Sequence, residues 1–538
     1  MTSNALFSTV TAFLSPILRG CVVAIGLFGT AVILNIASQC LLPRDPKLPP
    51  EIWNWIPFVG SAIEYGMDPI GFVQRYRSQY GDCFTFVMFG RRVTVCAGVK
   101  GTNMVLSGSL ASLSAEDAYK HLTTPLFGKG VVYDCPNTDL VQQKRFLRSG
   151  LTHSNFAAYV GQMEDEVSSL LTNDPSFVAF RSQDPSQWGE FHSVEGAELI
   201  TTLTSLRTLH GSDIRNGIDA DFTRRYLDLA HGFCAINFIC PGLPLPLNFR
   251  RDRAQKELSD YYVNIIRSRQ STEPTDKHSS DMIASLIGQR YKDGRELSER
   301  EVAHLMISLL LAGQHNSSAT LAWALLRIAN DQSVANELYR EQLEWFGNPD
   351  GSLRDVTYDE LKKLPILDAV IRETLRLHPP IHSIMRKVVS DIPVPATVAA
   401  STQVGKEFVI PAGHYVLVAP AVSQVDPAIW SDPLKWNPRR WSEHATAQHH
   451  ALYYTGGPQV DFGFGLVSQG TESPYQPFGA GRHRCVGEPF AYLQIGMVIT
   501  SLVRKMEMRL SNPFPENNYR TMIVTPKEPC TIQYRRRT

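Results

Sequence analysis

The stretch PFGAGRHRCVGEPFAYLQIG (Pro477–Gly496) decides how the rest of this chain is read. Gly479, Gly481 and Gly487 let the backbone turn tightly and approach a flat partner. Cys485 stands alone in the loop, and an amphipathic helical pattern begins just after it. Backbone amides and a helix N-terminus there favour a thiolate, because their dipoles stabilise negative charge. Arg482, His483 and Arg484 crowd the same loop and offer cations to the carboxylates of a bound group. One thiolate, with no neighbouring cysteine or histidine at ligand spacing, fits haem iron better than zinc or an iron–sulfur cluster. For this loop alone, a glycine-rich turn around a structural cysteine stays open.

Two more signatures stand upstream in the same chain. ETLR (Glu373–Arg376) lies in a helical pattern, and NPRRW (Asn437–Trp441) follows it. Glu373 and Arg376, three apart, share one helix face, and Arg440 is placed to close a buried charge network with them. The spacing Phe478–x2–Gly481–x3–Cys485–x–Gly487, with the Glu-x-x-Arg and Pro-x-Arg-aromatic elements in that order, resembles the cytochrome P-450 superfamily. The segments SAEDAYKHLTTPLFGKGVVYDCPN (Ser114–Asn137), PPIHSIMRKV (Pro379–Val388), AGQH (Ala312–His315) and WIPFVGSAIEYGMDP (Trp55–Pro69) resemble the fungal-type sterol 14α-demethylases within it.

That resemblance implies haem b (iron protoporphyrin IX) ligated by Cys485, with its carboxylates held by Tyr119, Tyr133, Lys144, Arg386 and His483. It implies a sterol pocket lined by Leu122, Thr123, Phe127, Phe233, Phe238, Ala312, Gly313, Ile381, Ser383 and Met522. The implied reaction on lanosterol or eburicol is three successive oxidations of the 14α-methyl group, ending in C–C cleavage and loss of formate. Azole inhibitors are implied as competing ligands. GAGRHRCVG looks superficially like a dinucleotide loop, but no strand–helix unit with a downstream acid supports it. Electrons are therefore expected from a separate NADPH–cytochrome P-450 reductase, docking on a basic face around the thiolate loop.

The chain departs from the family at the oxygen-activating helix. His315 stands where the superfamily has an acid, as is typical of the sterol 14α-demethylases, but Asn316 stands where a hydroxyl is expected, and Ser317, one residue on, points elsewhere on the helix. These three are the candidate catalytic residues, although an amide is a poor proton carrier at neutral pH. Ala230, Ala235 and Gly242 replace an acid, a proline and a tryptophan common in the family near the substrate entry. A divergent paralogue that hydroxylates another sterol or lipid, or a low-turnover sterol- or azole-binding haemoprotein, stands as the alternative function.

Composition agrees with one large enzyme. Lys+Arg and Asp+Glu number 52 each, so no net positive field favours nucleic acid. Nine scattered cysteines do not form a disulfide framework. Gly20–Pro43 carries no charge and has bilayer-spanning length. A cleaved signal peptide or a buried helix competes with a membrane anchor for this segment. Arg44 and Lys47 behind it place the body on the cytoplasmic side, and the expected location is the endoplasmic reticulum membrane, in contact with lipid. Prolines at 43, 46, 49, 50 and 57 then predict a stiff, non-helical connector.

Apolar periodicity predicts helices over 72–80, 142–152, 159–171, 195–209, 224–230, 253–269, 299–330, 334–346, 358–377 and 489–505. Short strands are expected at 83–89, in RRVTVCAG, VVSDIPV and HYVLVAP, and in MIVTP and CTIQY near the end. Residues 114–137 read as a loop leading into a helix, and 184–188, 272–276 and 444–458 as surface loops. The fold class expected is mainly α with a small antiparallel β region: an anchor at 1–43, a linker at 44–60 and one catalytic domain at 61–538.

Overall fold

Glu299–Asn330 forms a helix of 32 residues that runs through the body and buries most of its surface. Its start is set locally: the Ser298 hydroxyl accepts from the Glu301 amide, and the Glu301 carboxylate accepts from the Ser298 amide at 2.9 Å. Around it pack the Ser193–Ser205, Pro246–Ser271, Pro365–Leu377 and Glu488–Lys505 helices. The computed structural model describes residues 3–239, 242–271, 281–399, 407–441 and 470–537. The expected loops at 272–276 and 444–458 lie outside the described residues.

The β component is minor, as expected. A five-stranded sheet runs in the order Cys83–Met88, Arg91–Cys96, Tyr415–Val418, Ile384–Val388, Leu113–Ser114. One of its pairings, Val93 with Tyr415 onward, is parallel and the others are antiparallel. Near the C-terminus, Thr531–Arg536 pairs with both Gly189–His192 and Met506–Leu510.

Three sequence expectations need correction. The pattern over 358–377 divides into Tyr358–Leu361 and Pro365–Leu377. Pro365 has no amide to donate and forces Leu364 into extended backbone. The 114–137 segment contains a helix, Glu116–Phe127, whose first-turn acids Glu116 and Asp117 suit the helix dipole. The pattern over 195–209 leaves the α-helix at Ser205 and closes with a wider turn over Leu206–His210.

The N-terminal helix runs from Ser3 to Leu41, and its Cys21–Leu41 part is long and apolar enough to cross a membrane, with mean hydropathy 2.1. The following connector is non-helical through residue 60, and it pairs with the body: the Ile52 amide donates to the Thr85 carbonyl at 2.7 Å. Asn35 and Gln39, one turn apart on the apolar helix, donate to the Asn54 carbonyl at 2.9 and 2.5 Å.

Candidate active site

Gly479 (φ +67°) and Gly481 (φ +65°) adopt the left-handed backbone that the loop before Cys485 requires. A Cβ on Gly481 would stand 2.6 Å from the Leu106 carbonyl oxygen, so this turn is held against its neighbour with no room for a side chain. The Cys485 amide donates to the Phe478 carbonyl at 3.1 Å, which closes the loop just before the Glu488–Lys505 helix. Burial pushes the Cys485 thiol up; the Gly487 amide, Lys144 and Arg484 pull it down. The expected thiolate is thus not produced by the loop's dipoles alone, because desolvation outweighs them; a metal cation at the sulfur reverses that balance. The residue nevertheless has accessible surface, so that surface faces an internal space.

The long helix opens a small accessible window midway along its mostly buried length. Ala312 is exposed and Gly313, His315 and Asn316 are partly accessible, while Leu310, Leu311, Gln314, Ser317 and Ser318 are buried. Positions 312, 313, 315 and 316 fall on one face, as helical geometry requires of i, i+3 and i+4. A Cβ on Gly313 would meet nothing within 4 Å. The Asn316 amide nitrogen donates to the Ala312 carbonyl at 2.7 Å, while Asn316 Oδ1 and His315 Nε2 are buried without a partner. Burial lowers the His315 imidazole to about 4, so it is neutral at physiological pH. The Phe233 ring lies parallel to it, 6.5 Å away. Ser317, the third candidate, lies on the buried side of the helix and is not brought to this face.

Five of the expected residues do converge. The rings of Tyr119 and Tyr133 are 5.4 Å apart, and Tyr133 is 6.1 Å from His483. Lys144 reaches the carbonyls of Arg482 and Arg484 at 3.2 and 3.0 Å, and Arg386 donates to the Met385 carbonyl. Burial lowers Lys144 to about 8, and burial with the Arg386, Lys144 and Arg482 charges lowers His483 to about 3. His483 Nδ1 is buried and unpartnered. Among the described residues none of Lys144, Arg386 and His483 forms an ion pair with a carboxylate. Such a cluster fits a bound group that carries carboxylates. Arg482 and Arg484 do not join it: Arg482 donates to the Gly108 carbonyl and Arg484 pairs with Glu488.

Behind the loop, Glu373 and Arg376 are fully buried and paired at 2.8 Å, and Arg440 joins Glu373 at 2.9 Å. The Trp441 indole also donates to Glu373. Sequence reasoning missed Gln424, which gives its amide hydrogens to the Leu375 and Arg376 carbonyls and accepts from the Gln476 amide next to the thiolate loop. No spacing pattern marks it, because it lies 48 residues from Arg376 in the chain.

The family model for cytochrome P450 matches residues 50–534. The chain belongs to the cytochrome P450 family. It is 48% identical to the lanosterol 14-alpha demethylase of Mycosarcoma maydis over 93% of this chain and 91% of that protein. It is 42% identical to lanosterol 14-alpha demethylase erg11 of Schizosaccharomyces pombe, covering 92% and 95% of the two chains. It is 39% identical to the eburicol 14-alpha-demethylase of Penicillium italicum, covering 97% and 99%. The solved structure of a retinoic acid bound cyanobacterial CYP120A1 superposes with a TM-score of 0.73 at 20% identity, over 92% of this chain and all of that one, which shows the shared fold.

As a cytochrome P450, this chain is a haem-thiolate enzyme. Of the expected substrate contacts, Leu122 and Thr123 are buried on the Glu116–Phe127 helix with Phe127 beside them, and Phe238 is tied to it through the His121 ring and its own carbonyl at 2.9 Å. Ser383 is partly buried against His382 at 2.8 Å, Met522 is half-buried, and Ile381 is exposed. A second cysteine with polar neighbours, Cys530, meets His192 and Glu528 on the C-terminal sheet, outside the glycine loop. Burial raises its thiol to about 11.

Proposed function

We infer that this cytochrome P450 removes the 14α-methyl group of a sterol, lanosterol or eburicol, with electrons from an NADPH-dependent cytochrome P-450 reductase. The observation that carries this reading is 39% and 48% identity, over nearly the full length, to proteins named eburicol and lanosterol 14-alpha demethylases. In this reading Cys485 holds the iron of haem b, and Lys144, Arg386, His483, Tyr119 and Tyr133 hold its carboxylates. The haem supplies dioxygen activation. The chain's own residues do the rest: Ala312 and Gly313 leave room at the window for oxygen and the sterol methyl group. Asn316, its amide hydrogen committed to Ala312, orients water through Oδ1, and neutral His315 offers Nε2 to the same water. Leu122, Thr123, Phe127, Phe233, Phe238, Ile381, Ser383 and Met522 form the sterol-facing wall, an apolar surface with a few hydroxyls. Glu373, Arg376 and Arg440 hold the loop in shape and touch no substrate.

The Cys21–Leu41 helix supports a single-pass membrane anchor, whose location we propose to be the endoplasmic reticulum, and Trp53, Trp55 and Phe58 are exposed in the connector that follows it. Azoles are expected to compete for the same pocket. Asn316 favours one second reading, hydroxylation without carbon–carbon cleavage. Purified enzyme with reductase, NADPH and a 14α-methyl sterol separates them. Formate and a demethylated product support demethylation, a hydroxylated sterol alone supports the second reading, and absence of any product overturns both.

A further inference from the structure

The long helix ends in a group of side chains that none of the roles above uses. The Trp323 indole, fully buried, stacks on the His378 imidazole with centroids 3.8 Å apart and planes 6° apart. One turn on, Arg327 donates to His378 Nε2 from Nη2 at 2.8 Å and from Nε at 3.2 Å. A guanidinium only donates, so Nε2 is the acceptor and the proton sits on Nδ1. His378 Nδ1 then donates to Asn517 Oδ1 at 3.0 Å, and the Asn517 amide donates to the Tyr519 hydroxyl at 2.9 Å. The hydrogen bonds run in one direction, from the core helix outward to the turn that carries Met522.

The same group holds two chain segments together. Trp323 Nε1 donates to the Val524 carbonyl at 3.3 Å, and the Val524 amide donates to the Pro380 carbonyl at 3.0 Å. Asn517 and Asn518 pair with Pro526 and Thr525, which closes the hairpin on which Met522 sits. Pro380 directly precedes Ile381, and the His382 ring meets Tyr519 edge-on at 6.1 Å. Ser383 is bonded to His382 Nδ1 at 2.8 Å. The segments carrying Met522, Ile381 and Ser383 are therefore tied to each other and to the end of the long helix.

We propose that Trp323, Arg327, His378 and Asn517 are positioning residues that fix the Ile381–Ser383 and Met522 wall of the sterol pocket and so set sterol affinity. This rests on the reading of that wall as sterol-facing. The test uses the full-length holoenzyme and two variants, Asn517→Leu and Trp323→Phe, neither of which touches the thiolate loop. Spectral titration with lanosterol and, separately, with imidazole distinguishes a displaced wall from a damaged haem site. The expected result is sterol dissociation constants raised ~10-fold, which corresponds to about 1.4 kcal/mol, with imidazole affinity and the reduced carbon monoxide band unchanged. Asn517→Asp, which keeps the acceptor for His378, is expected to recover part of the loss. Unchanged sterol affinity in both variants overturns the proposal, and so does a parallel fall in imidazole affinity, which marks a merely structural role. A wild-type enzyme that binds imidazole and gives no sterol response overturns the underlying sterol reading instead.

Discussion

The Asn316 side-chain amide closes onto the carbonyl of Ala312, one turn earlier in the same helix, at 2.7 Å, while its Oδ1 is left buried without a partner. A donor is thus spent on the backbone and a buried acceptor is left without a partner. Where a hydroxyl can pass a proton on, this amide can only orient one. Replacing Asn316 by Leu, which removes both roles, should lower the rate of formate release, by less than the ~10²-fold expected for a lost general acid or base. Asn316→Thr should raise the share of NADPH electrons that end in product. If Asn316→Thr leaves both rate and coupling where they were, position 316 has no part in proton delivery.

His315 predicts a pH dependence of stability. Burial lowers its folded pKa to about 4 from an ordinary 6.5, so the unfolded chain binds more protons between those values. Its contribution is fully present above about pH 6.5 and is lost as the pH falls toward 4. His315→Gln, neutral throughout, should lose less stability than wild type between pH 7 and pH 5. Equal Tm losses in the two proteins over that interval would count against a neutral, buried imidazole.

The Glu373 carboxylate answers two guanidinium groups and an indole at zero exposure. Glu373→Gln keeps the shape and leaves two buried cations without a counter-charge, at a cost of ~3–5 kcal/mol. Haem content and Tm should both fall sharply. A variant with full haem and wild-type Tm would show that the charge is dispensable.

Removing one donor of the Lys144–Arg386–His483 cluster, in which the His483 imidazole is neutral, should loosen the haem rather than change the chemistry. Hydrogen bonds to a charged group are worth ~1.5–3 kcal/mol, so Arg386→Met should speed haem transfer to apomyoglobin by roughly ten- to a hundredfold. Wild-type transfer kinetics in that variant would remove Arg386 from the carboxylate-binding set.

Much of this molecule is written locally in its sequence. The Ser298–Glu301 capping box starts the long helix at Glu299, where its apolar run begins, and Gly479 and Gly481 mark a turn that only glycine makes easily. Cys485, the Glu373–Arg376 pair and the apolar Cys21–Leu41 span are legible for the same reason: each depends on residues close together in the chain. What the tertiary structure alone decided depends on groups far apart. It left His315 Nε2 and Asn316 Oδ1 buried without partners, engaged Arg482 and Arg484 elsewhere, and raised the Cys485 thiol through burial that no spacing reveals. It also set Gln424 against Arg376 and His378 against Trp323. Helical periodicity and turn chemistry act over a few residues; desolvation and long-range hydrogen bonding are properties of the packed whole.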